Sequence, residues 1–348
     1  MKILLIRLSS IGDIVLATSV LKPLRKRFPE SEISMMVLSP FLPLLQGNPY
    51  LSRIIPFEAG QTFLSDLLNL IQFILALRRE NFTLVIDLHR NFRSTLLMLF
   101  CRGEKKIGYS KEVWKRRAMV FFKKRWKGTH TVEKYLKVLE PLGISTNHAE
   151  PTIHLSMEER SWAENFLNSK FTNHQLPITN LVGMVPGARW ATKRWNPSGF
   201  AALGDRLAKE LKARVILLGD SQDIEVARMV AESMKEEVRN FVGKTTLREL
   251  AALLEQCHLV LTNDSGPLHI ASALGKPVVV LFGPTVEEFG FTPYGGEQTS
   301  LSVTLSKDLP CRPCSLHGSE RCPLGHHNCM NLITPDEVFH AAKQILLR

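Results

Sequence analysis

The sequence predicts an α/β protein built from two doubly wound parallel sheets. Short apolar runs, such as 3–8, 33–38 and 84–88, alternate with stretches of helical apolar spacing. A polar, irregular stretch at about 144–178 interrupts this pattern, which then restarts. The chain has 348 residues, enough for two domains of ordinary size. Strands that alternate with helices are typical of parallel sheets covered on both faces.

The first half of the chain is expected to form one domain, over residues 1–160. A basic end on the first helical stretch suits a helix C-terminus, and the stretch at 63–77 is apolar almost all round, so we expect a buried helix there. We predict strands at 3–8, 33–38, 54–57 and 84–88, and helices at 14–28, 63–79, 93–101 and 130–142.

The second half is expected to form another domain, over 175–334, with a cysteine-rich excursion at 311–329. A last helix, at 335–348, is expected to pack back on the first domain. We predict strands at 181–185, 215–219, 259–263 and 277–283, and helices at 197–211, 224–235, 247–256 and 267–274.

The composition excludes a disordered chain, because 45% of the residues are hydrophobic and 22% are charged. Lys2 and Arg7 interrupt the start of the chain, so no secretory signal is expected. The most apolar window, 67–77, is too short to cross a bilayer. We therefore expect a cytoplasmic protein with no transmembrane segment, and peripheral association with the inner face of the cytoplasmic membrane is left open.

The positive charge of the chain is concentrated in one segment. The formal net charge is +11, and residues 102–127 hold eleven Lys or Arg against two Glu, which gives +9 for this segment. Trp114, Phe121, Phe122 and Trp126 are interleaved with these charges. Nucleic acid, an anionic membrane surface and a phosphorylated substrate all fit such a segment. The simpler interpretation is a solvated helix face with its apolar stripe turned inward.

Several familiar motifs are absent from the sequence. No two glycines lie two positions apart, which excludes the dinucleotide-binding fingerprint. The sequence also lacks a Walker A loop, a Gly-x-Ser-x-Gly elbow and an Asp-x-Asp triplet that would hold a divalent ion. These absences argue against four classes of protein: dehydrogenases, P-loop ATPases, serine hydrolases and metal-dependent sugar transferases.

The first candidate site is Ser9-Ser10-Ile11-Gly12-Asp13, between the first strand and the first helix. Gly12 allows a ligand to approach the backbone closely. Asp13 is either a helix N-cap or a general base that takes the proton of an attacking hydroxyl.

The second candidate site is the run 262–269, Thr-Asn-Asp-Ser-Gly-Pro-Leu-His. A strand ends there and a helix begins, so free backbone N–H groups form an anion site. Ser265 could donate to the same ligand, and Asp264 could accept from a sugar hydroxyl. An ordinary capped helix with a satisfied His269 is the competing interpretation.

The third candidate site is the loop that contains Gly187, Lys193 and Arg194. A glycine after a strand followed by a basic loop is similar to a phosphate lid, in which a cation neutralises a diphosphate leaving group. A basic loop anchored by Trp195 in the core is the competing interpretation. A further glycine turn, 282–285, follows another strand.

Four of the six cysteines fall within 311–329: Cys311, Cys314, Cys322 and Cys329. In a reduced compartment such clustering suggests a structural zinc site rather than disulfides. The spacing of the second pair is wider than in a usual zinc knuckle, so reduced thiols that pack a small excursion are the alternative.

Three segments carry a resemblance to a known family. They read RLSSIGDIVLATSVL at 7–21, TNDSGPLHIASALGKPVVVLFGPT at 262–285 and CPLGHHNCM at 322–330. Together they resemble the ADP-heptose:lipopolysaccharide heptosyltransferases of glycosyltransferase family 9, and the third is similar to the heptosyltransferase II branch. The resemblance runs nearly end to end. It implies the GT-B architecture, with two Rossmann-like domains that face a central cleft.

The resemblance also implies a reaction. This is the inverting, metal-independent transfer of heptose from ADP-L-glycero-D-manno-heptose to the lipid A–inner core acceptor of lipopolysaccharide at the membrane surface, with Asp13 as general base and no cofactor. The N-terminal domain would receive the acceptor and the C-terminal domain the nucleotide sugar. The implied donor-binding residues are Gly12, Lys193, Asp264, Ser265, Gly266 and His269, and the implied acceptor-binding residues are Arg93, Ser94, Arg116, Arg117 and Lys124.

Alternatives stay open beside this interpretation. The ribose or adenine contact is Asp220, Asp223 or Glu225, and the local sequence does not choose between them. A GT-B enzyme that uses another nucleotide sugar, as a transferase or an epimerase, is the second hypothesis. A nucleic-acid-binding protein and a catalytically silent nucleotide-binding scaffold are the others, although no recognition-helix or RNA-binding motif supports nucleic acid as a partner.

Overall fold

The computed structural model describes residues 1–60, 62–147, 149–171, 180–297 and 299–348. The contacts within it divide the chain into two compact units. The predicted domain junction falls in part on 172–179, which lie outside the described residues. The first unit comprises Met1–Glu112 and Thr131–His154, and the second comprises Val113–His130 and Leu155–Arg348.

The described strands and helices alternate along most of the chain. The strands are β1 (Lys2–Ile6), β2 (Glu32–Leu38), β3 (Arg53–Phe57), β4 (Phe82–Asp87), β5 (Gly103–Gly108), β6 (Leu181–Val185), β7 (Arg214–Leu217), β8 (Val238–Asn240), β9 (Leu259–Asn263), β10 (Val278–Phe282) and β11 (Val303–Ser306). The helices are α1 (Ile11–Ala17), α2 (Leu21–Arg27), α3 (Phe63–Arg78), α4 (Phe92–Phe100), α5 (Val113–Phe122), α6 (Thr131–Leu136), α7 (Met157–Lys170), α8 (Pro197–Leu211), α9 (Ile224–Ser233), α10 (Leu247–Gln256), α11 (Gly266–Ala273), α12 (Asn328–Asn331) and α13 (Pro335–Leu346).

The described strands of the first unit form one parallel sheet in the order β3-β2-β1-β4-β5. β1, β2 and β4 are buried along most of their length, which explains their continuous apolar sequences. From β1, the sheet extends through β2 and β3 on one side and through β4 and β5 on the other. The carboxyl ends of β1 and β4 therefore form a topological switch point, where ligands bind in open α/β sheets.

The described strands of the second unit form a parallel sheet in the order β11-β10-β9-β6-β7-β8. If β6 is numbered as the first strand and the sheet is read from β8 to β11, the strands follow the 3-2-1-4-5-6 order of a Rossmann sheet. β6, β9 and β10 are wholly buried. The switch point lies at the carboxyl ends of β6 and β9.

Three edge strands and the helices α5, α7 and α12 were not among the predicted elements. β5, β8 and β11 are short, and β5 carries charged side chains, as strands at the edge of a sheet commonly do. Helix α7 lies within the stretch that we expected to be irregular. Ser156 and Glu159 form a capping box at its start, and Arg160 and Arg248 form ion pairs that join it to α10.

Helix α3 is a surface helix, so the expectation of a buried one is wrong. Leu70 and Leu77 are buried in the core of the first unit, whereas Leu68, Ile71 and Leu75 are exposed. The sheet and α4 cover only one side of the helix. None of the helices that the structure describes has the length and apolar composition needed to cross a membrane.

Helix α13 packs within the second unit, which differs from the prediction that it returns to the first domain. Its Val338, Phe339 and Ala342 are buried in the core of the second unit. The Arg206 guanidinium of α8 lies 3.9 Å from the centre of the Phe339 ring. An apolar face of α13 thus completes the layer beside α8.

Helix α5 also belongs to the second unit, although the sequence placed it within a domain ending at 160. Met119 packs with Val286 and Phe289 in a small buried cluster. This contact joins residues that are far apart in the sequence.

Candidate active site

The loop after β1 holds a buried ion pair. Arg7 follows the strand, and its side chain is almost wholly buried. Its Nη2 lies 2.6 Å from Oδ1 of Asp13, the third residue of α1. Ser10, rather than Asp13, occupies the N-cap position of this helix. The carboxylate is therefore held by a cation rather than used as the helix cap.

Two hydroxyl groups also donate to the Asp13 carboxylate. Ser10 Oγ donates to Oδ2 over 3.0 Å, and Tyr135 Oη donates to Oδ1 over 3.3 Å. The Asp13 side chain nevertheless remains 23% exposed. An ionised carboxylate with a fixed orientation and an open side can accept a proton. Gly12 lies beside it in α1, buried within the first unit.

The Arg7 guanidinium links the ends of two neighbouring strands. Its Nη1 donates to the Leu88 carbonyl oxygen over 2.9 Å, and the group lies 5.8 Å from the centre of the Tyr135 ring. Burial by itself lowers the pKa of Arg7, but the charge of Asp13, its hydrogen bond and the neighbouring Tyr135 and Tyr109 together outweigh burial and leave that pKa above its ordinary value. Arg7 therefore stays charged beside Asp13.

His89 connects the same two loops. Its Nδ1 accepts from the Leu8 backbone N–H over 3.0 Å. Burial, followed by the charge of Arg7, lowers the pKa of His89 to about 3. The imidazole is thus neutral near pH 7 and acts as an acceptor that fixes the loop leading to Asp13.

Asp87, at the end of β4, is a wholly buried carboxylate that sequence reasoning missed. Its Oδ1 accepts from the backbone N–H groups of His89 and Arg90, over 2.8 and 2.9 Å, and its Oδ2 accepts from Ser94 Oγ over 2.9 Å. An aspartate that ends an otherwise apolar strand was the available signal. Ser94 is itself fully buried and takes part in the capping box of α4.

Arg93, next to Ser94, is partly exposed and paired. Its Nε lies 2.7 Å from Oδ2 of Asp66 in α3. The hydroxyl of Ser94 already donates to Asp87. Of Arg93 and Ser94, therefore, only Arg93 can contact a ligand from solvent.

The second unit carries a lysine–aspartate pair after β9. Lys193 Nζ lies 2.6 Å from Oδ2 of Asp264, and both side chains are nearly buried. Thr285 Oγ1 donates to the same oxygen over 2.7 Å. Burial raises the pKa of Asp264, but the charge and hydrogen bond of Lys193, with the Thr285 hydroxyl and His269, together outweigh burial and leave that pKa below its ordinary value. The sequence predicted both charged residues but assigned no role to Thr285.

Helix α11 starts directly after this pair. Ser265 occupies its N-cap position but makes no capping hydrogen bond, and its Oγ lies 3.2 Å from Thr262 Oγ1. The helix begins at Gly266, and His269 is buried in its first turn. Uncapped N–H groups and the helix dipole favour an anion at this end.

Asn263 is a buried amide that ties three loops together at the switch point. Its Oδ1 accepts from the Trp195 backbone N–H over 3.1 Å, and its Nδ2 donates to the Pro186 carbonyl oxygen over 2.8 Å. The loop with Lys193 and the loop after β6 are therefore fixed beside the start of α11.

The three candidates for the ribose or adenine contact, Asp220, Asp223 and Glu225, lie in different surroundings. Asp223 packs against Gly187, because a Cβ built on this glycine would meet the Asp223 carboxylate within 2.2 Å. Burial, and then the charge of Asp220, raises the pKa of Asp223. Asp220 caps the turn that contains Asp223, and Glu225 is exposed and paired with Arg228. Only Asp223, among these three, lies against the loop at the switch point.

The cysteine-rich excursion holds the loop of Lys193 in place. Thr192 Oγ1 donates to the Ser319 carbonyl oxygen over 2.8 Å, and the Thr192 backbone N–H donates to the same oxygen over 3.0 Å. The Ser319 N–H donates back to Thr192 Oγ1 over 2.9 Å, and His327 Nε2 lies 2.8 Å from the Thr192 carbonyl oxygen. The excursion therefore positions the residue that precedes Lys193.

The four cysteines of the excursion are free thiols. Burial, and then the neighbouring Cys311, raises the pKa of Cys314 to about 11, and burial raises that of Cys329 to about 11. Within the described ranges, no group of three or more His, Cys, Asp or Glu is arranged to hold a metal ion. The structure thus describes four free thiols, and burial keeps those of Cys314 and Cys329 protonated.

The predicted basic contacts on α5 and after it belong to the second unit. The Arg116 guanidinium lies 6.0 Å from the centre of the Phe291 ring, and that of Arg117 lies 5.9 Å from the centre of the Trp114 ring. Lys124 follows the helix and is exposed.

Each unit therefore has its own set of polar groups at its switch point. The first offers an oriented carboxylate, and the second offers a helix N-terminus, a lysine and a carboxylate against a glycine loop. A base and an anion site are the components needed to transfer a group away from a phosphate.

Comparisons with known proteins identify relatives of this chain. The family model described as glycosyltransferase family 9 (heptosyltransferase) matches residues 70–318. Lipopolysaccharide heptosyltransferase 3 of Escherichia coli K12 is 30% identical over 80% of this chain and 81% of its own length. Lipopolysaccharide heptosyltransferase 2 of the same strain is 28% identical over 83% of this chain and 84% of its own length. Lipooligosaccharide heptosyltransferase 2 of Haemophilus influenzae is 26% identical over the whole of both chains.

Solved structures agree with the fold. A glycosyl transferase family 9 protein from Veillonella parvula has a TM-score of 0.80 and 25% identity, covering 99% of this chain and 97% of its own. The E. coli ADP-heptose lps heptosyltransferase II has a TM-score of 0.75 and 23% identity, covering 100% of this chain and 99% of its own. The predicted fold class, two Rossmann-like parallel-sheet domains of the GT-B type, is confirmed.

Proposed function

Since this chain belongs to glycosyltransferase family 9, we propose that it transfers heptose from ADP-heptose to the inner core of lipopolysaccharide, with inversion and without a metal ion. The chain is a glycosyltransferase. The observation that carries the mechanism is the Asp13 carboxylate, which is fixed by Arg7 and two hydroxyl groups yet partly open to solvent.

Asp13 is proposed to be the general base. An acceptor hydroxyl passes its proton to the carboxylate while its oxygen bonds to the anomeric carbon. The bond from that carbon to the phosphate oxygen breaks, and ADP leaves with the electron pair. Because the nucleophile enters opposite the leaving group, the configuration at the anomeric carbon inverts. Arg7 keeps the carboxylate in place and acts as a positioning residue.

The second unit is proposed to hold the ADP that leaves. The N-terminal N–H groups of α11, beginning at Gly266, face the charge that develops on the diphosphate, and Ser265 adds a hydroxyl donor. Lys193 supplies the positive charge that a divalent ion provides in metal-dependent transferases. Asp264 orients Lys193 and accepts from a heptose hydroxyl, and His269 supports the same turn.

Asp223 is proposed to contact the ribose of ADP. Its carboxylate lies against Gly187, where the loop after β6 begins. Rossmann sheets commonly place an acidic side chain on the ribose hydroxyls at this switch point. Asp220 and Glu225 are engaged elsewhere, in a cap and an ion pair.

The acceptor is proposed to be recognised through its negative charges. Lipid A and the inner core carry phosphates and carboxylates, which Arg93, Arg116, Arg117 and Lys124 can bind. Direct contact of the acceptor with Ser94 is not part of this proposal, because that hydroxyl is buried against Asp87.

The test is a product assay with purified protein, ADP-heptose and defined truncated core acceptors, followed by mass measurement. We expect the acceptor to gain one heptose, and UDP-sugars to give no product. Asp13→Asn should lower kcat about 100- to 10,000-fold, the range typical of a general base, with ADP affinity unchanged. Asp205→Asn is the matched control, since this carboxylate caps backbone groups outside the proposed site. Turnover of Asp13→Asn close to that of the wild type would contradict the base assignment.

A further inference from the structure

Helix α5 is anchored to the second unit by one face only. Met119 is buried in a cluster with Val286 and Phe289, and Val120 packs against the same cluster. Arg116, on the same side, lies over the Phe291 ring. These contacts fix the helix and determine which of its side chains point away from the protein.

The outer face of α5 exposes large aromatic side chains. Trp114 is 81% exposed, Phe121 is 79% exposed and Phe122 is 67% exposed. Positions 114, 117 and 121 follow helical spacing and share one face. Arg117 stacks on Trp114, and the rings of Phe121 and Phe122 meet edge to face with 5.0 Å between their centres. Three neighbouring aromatic side chains in water form an apolar patch of the kind that marks an interaction site.

Cations surround this patch. It lies within the segment 102–127, which carries a charge of +9. Lys115 Nζ donates to the Lys127 carbonyl oxygen, and Lys123 Nζ donates to the Pro313 carbonyl oxygen. These ammonium groups are thus held against uncharged carbonyl oxygens. The partner of this face must therefore offer both negative charge and an apolar layer.

We propose that the outer face of α5 docks this chain on a bilayer surface that contains anionic lipid. Trp114, Phe121 and Phe122 enter the head-group region, and Arg117 and Lys124 bind lipid phosphates. Aromatic rings with a basic surround are the composition of helices that lie in the membrane interface. The inference rests on the proposed function, in which the acceptor carries lipid A, but its test needs no turnover.

The exposed apolar face of α3 is the natural comparison. Leu68, Ile71 and Leu75 are also exposed on one side of a helix. The only basic residue of α3, however, is Arg78 in its last turn, and Asp66 lies in its first turn, so this helix attracts anionic lipid much less than α5 does. The charge pattern thus favours α5 over α3 as the docking surface.

The experiment is co-sedimentation of the full chain with vesicles of phosphatidylcholine alone or mixed equally with phosphatidylglycerol. We expect binding to the mixed vesicles that weakens as salt is added. The variant W114S/F121S/F122S should lower the partition coefficient at least about tenfold, because it removes the apolar contribution. R117Q/K124Q should lower it about fivefold per charge, from roughly 1 kcal/mol for each basic residue at an anionic surface. Circular dichroism and ADP affinity of the aromatic variant report whether it folds.

The matched control is L68S/I71S/L75S on α3, which removes three exposed apolar side chains from another surface. It should bind the mixed vesicles as the wild type does. The proposal would be overturned if the α5 and α3 variants lost vesicle binding equally, or if the wild type did not bind the mixed vesicles. It would also be overturned if the protein bound a single-stranded oligonucleotide tightly but did not bind vesicles. Vesicle binding without heptosyl transfer would refute the proposed function alone, and transfer to a soluble acceptor without vesicle binding would refute the docking surface alone.

Discussion

Replacing Gly187 with alanine should displace the Asp223 carboxylate and weaken ADP binding. The added Cβ would lie 1.9 Å from Cγ of Asp223, whereas ordinary contact begins at 3.4 Å, so the carboxylate must retreat by about 1.5 Å. A hydrogen bond to a charged group contributes about 1.5 to 3 kcal/mol, so its loss should raise the Kd of ADP about 10- to 100-fold. Gly187 has a φ outside the left-handed region, so its backbone accepts alanine without strain.

A double-mutant cycle measured by titration calorimetry with ADP checks this reasoning. Asp223→Ala alone should cause a similar loss, and adding Gly187→Ala to it should change little, because the clash has been removed. Gly275→Ala is the matched control, since its Cβ would meet nothing within 4 Å and only its positive φ carries a cost. An ADP Kd within about twofold of the wild type in Gly187→Ala would refute the placement of Asp223 at the ribose.

The remaining predictions concern the ion pairs and the buried histidine. Arg7→Met should lower kcat about 10- to 100-fold with ADP affinity unchanged, because Asp13 loses its anchor, and steady-state kinetics with unchanged kcat would remove that role. Lys193→Met should lower kcat and raise the Kd of ADP about tenfold. Thr285→Val removes a neutral donor from the same Asp264 oxygen, so it should lower the free energy of unfolding more than it lowers kcat. The folded-state pKa of His89, about 3, lies below its ordinary value, so the stability that it contributes is present above about pH 6.5 and is lost as the pH falls towards 3. The free energy of unfolding of the wild type should therefore fall by up to about 1.4 kcal/mol per pH unit below pH 6 relative to His89→Asn, and urea denaturation curves with parallel pH dependence would contradict this.

The sequence predicted the sheets and the loops at their carboxyl ends because both depend on local patterns. Buried parallel strands are continuous apolar runs, and the loops that hold Asp13 and Asp264 follow two of them directly. Within each sheet, the strand order then brings loops that are distant in sequence to the switch point of that sheet. Such motifs can be located without knowledge of tertiary contacts.

The misplaced elements depend on contacts that no local pattern specifies. Whether α13 covers one unit or the other is decided by partners such as Arg206 and Trp195, which are far away in the sequence. The apolar composition of α3 indicated burial, but the sheet can cover only one of its sides. Edge strands such as β5 lack an apolar run because solvent reaches them. The capping box of α7, by contrast, is a local pattern that the sequence itself displays.

The side chains that support the site were the hardest to foresee. Asp87 and Asn263 bind backbone groups of neighbouring loops, and their type alone does not reveal this. Tyr135 reaches Asp13 from a helix 122 positions along the chain.

The attachment of Thr192 to the main chain of Ser319 has an evolutionary consequence. Residue 319 contributes only its peptide N–H and carbonyl oxygen to this contact, whereas position 192 must supply a hydroxyl. As far as this contact is concerned, the identity of residue 319 is therefore free to drift among homologues. The number of residues that lead to it is not, because an insertion or deletion would carry the paired groups out of register and release the lysine beside them.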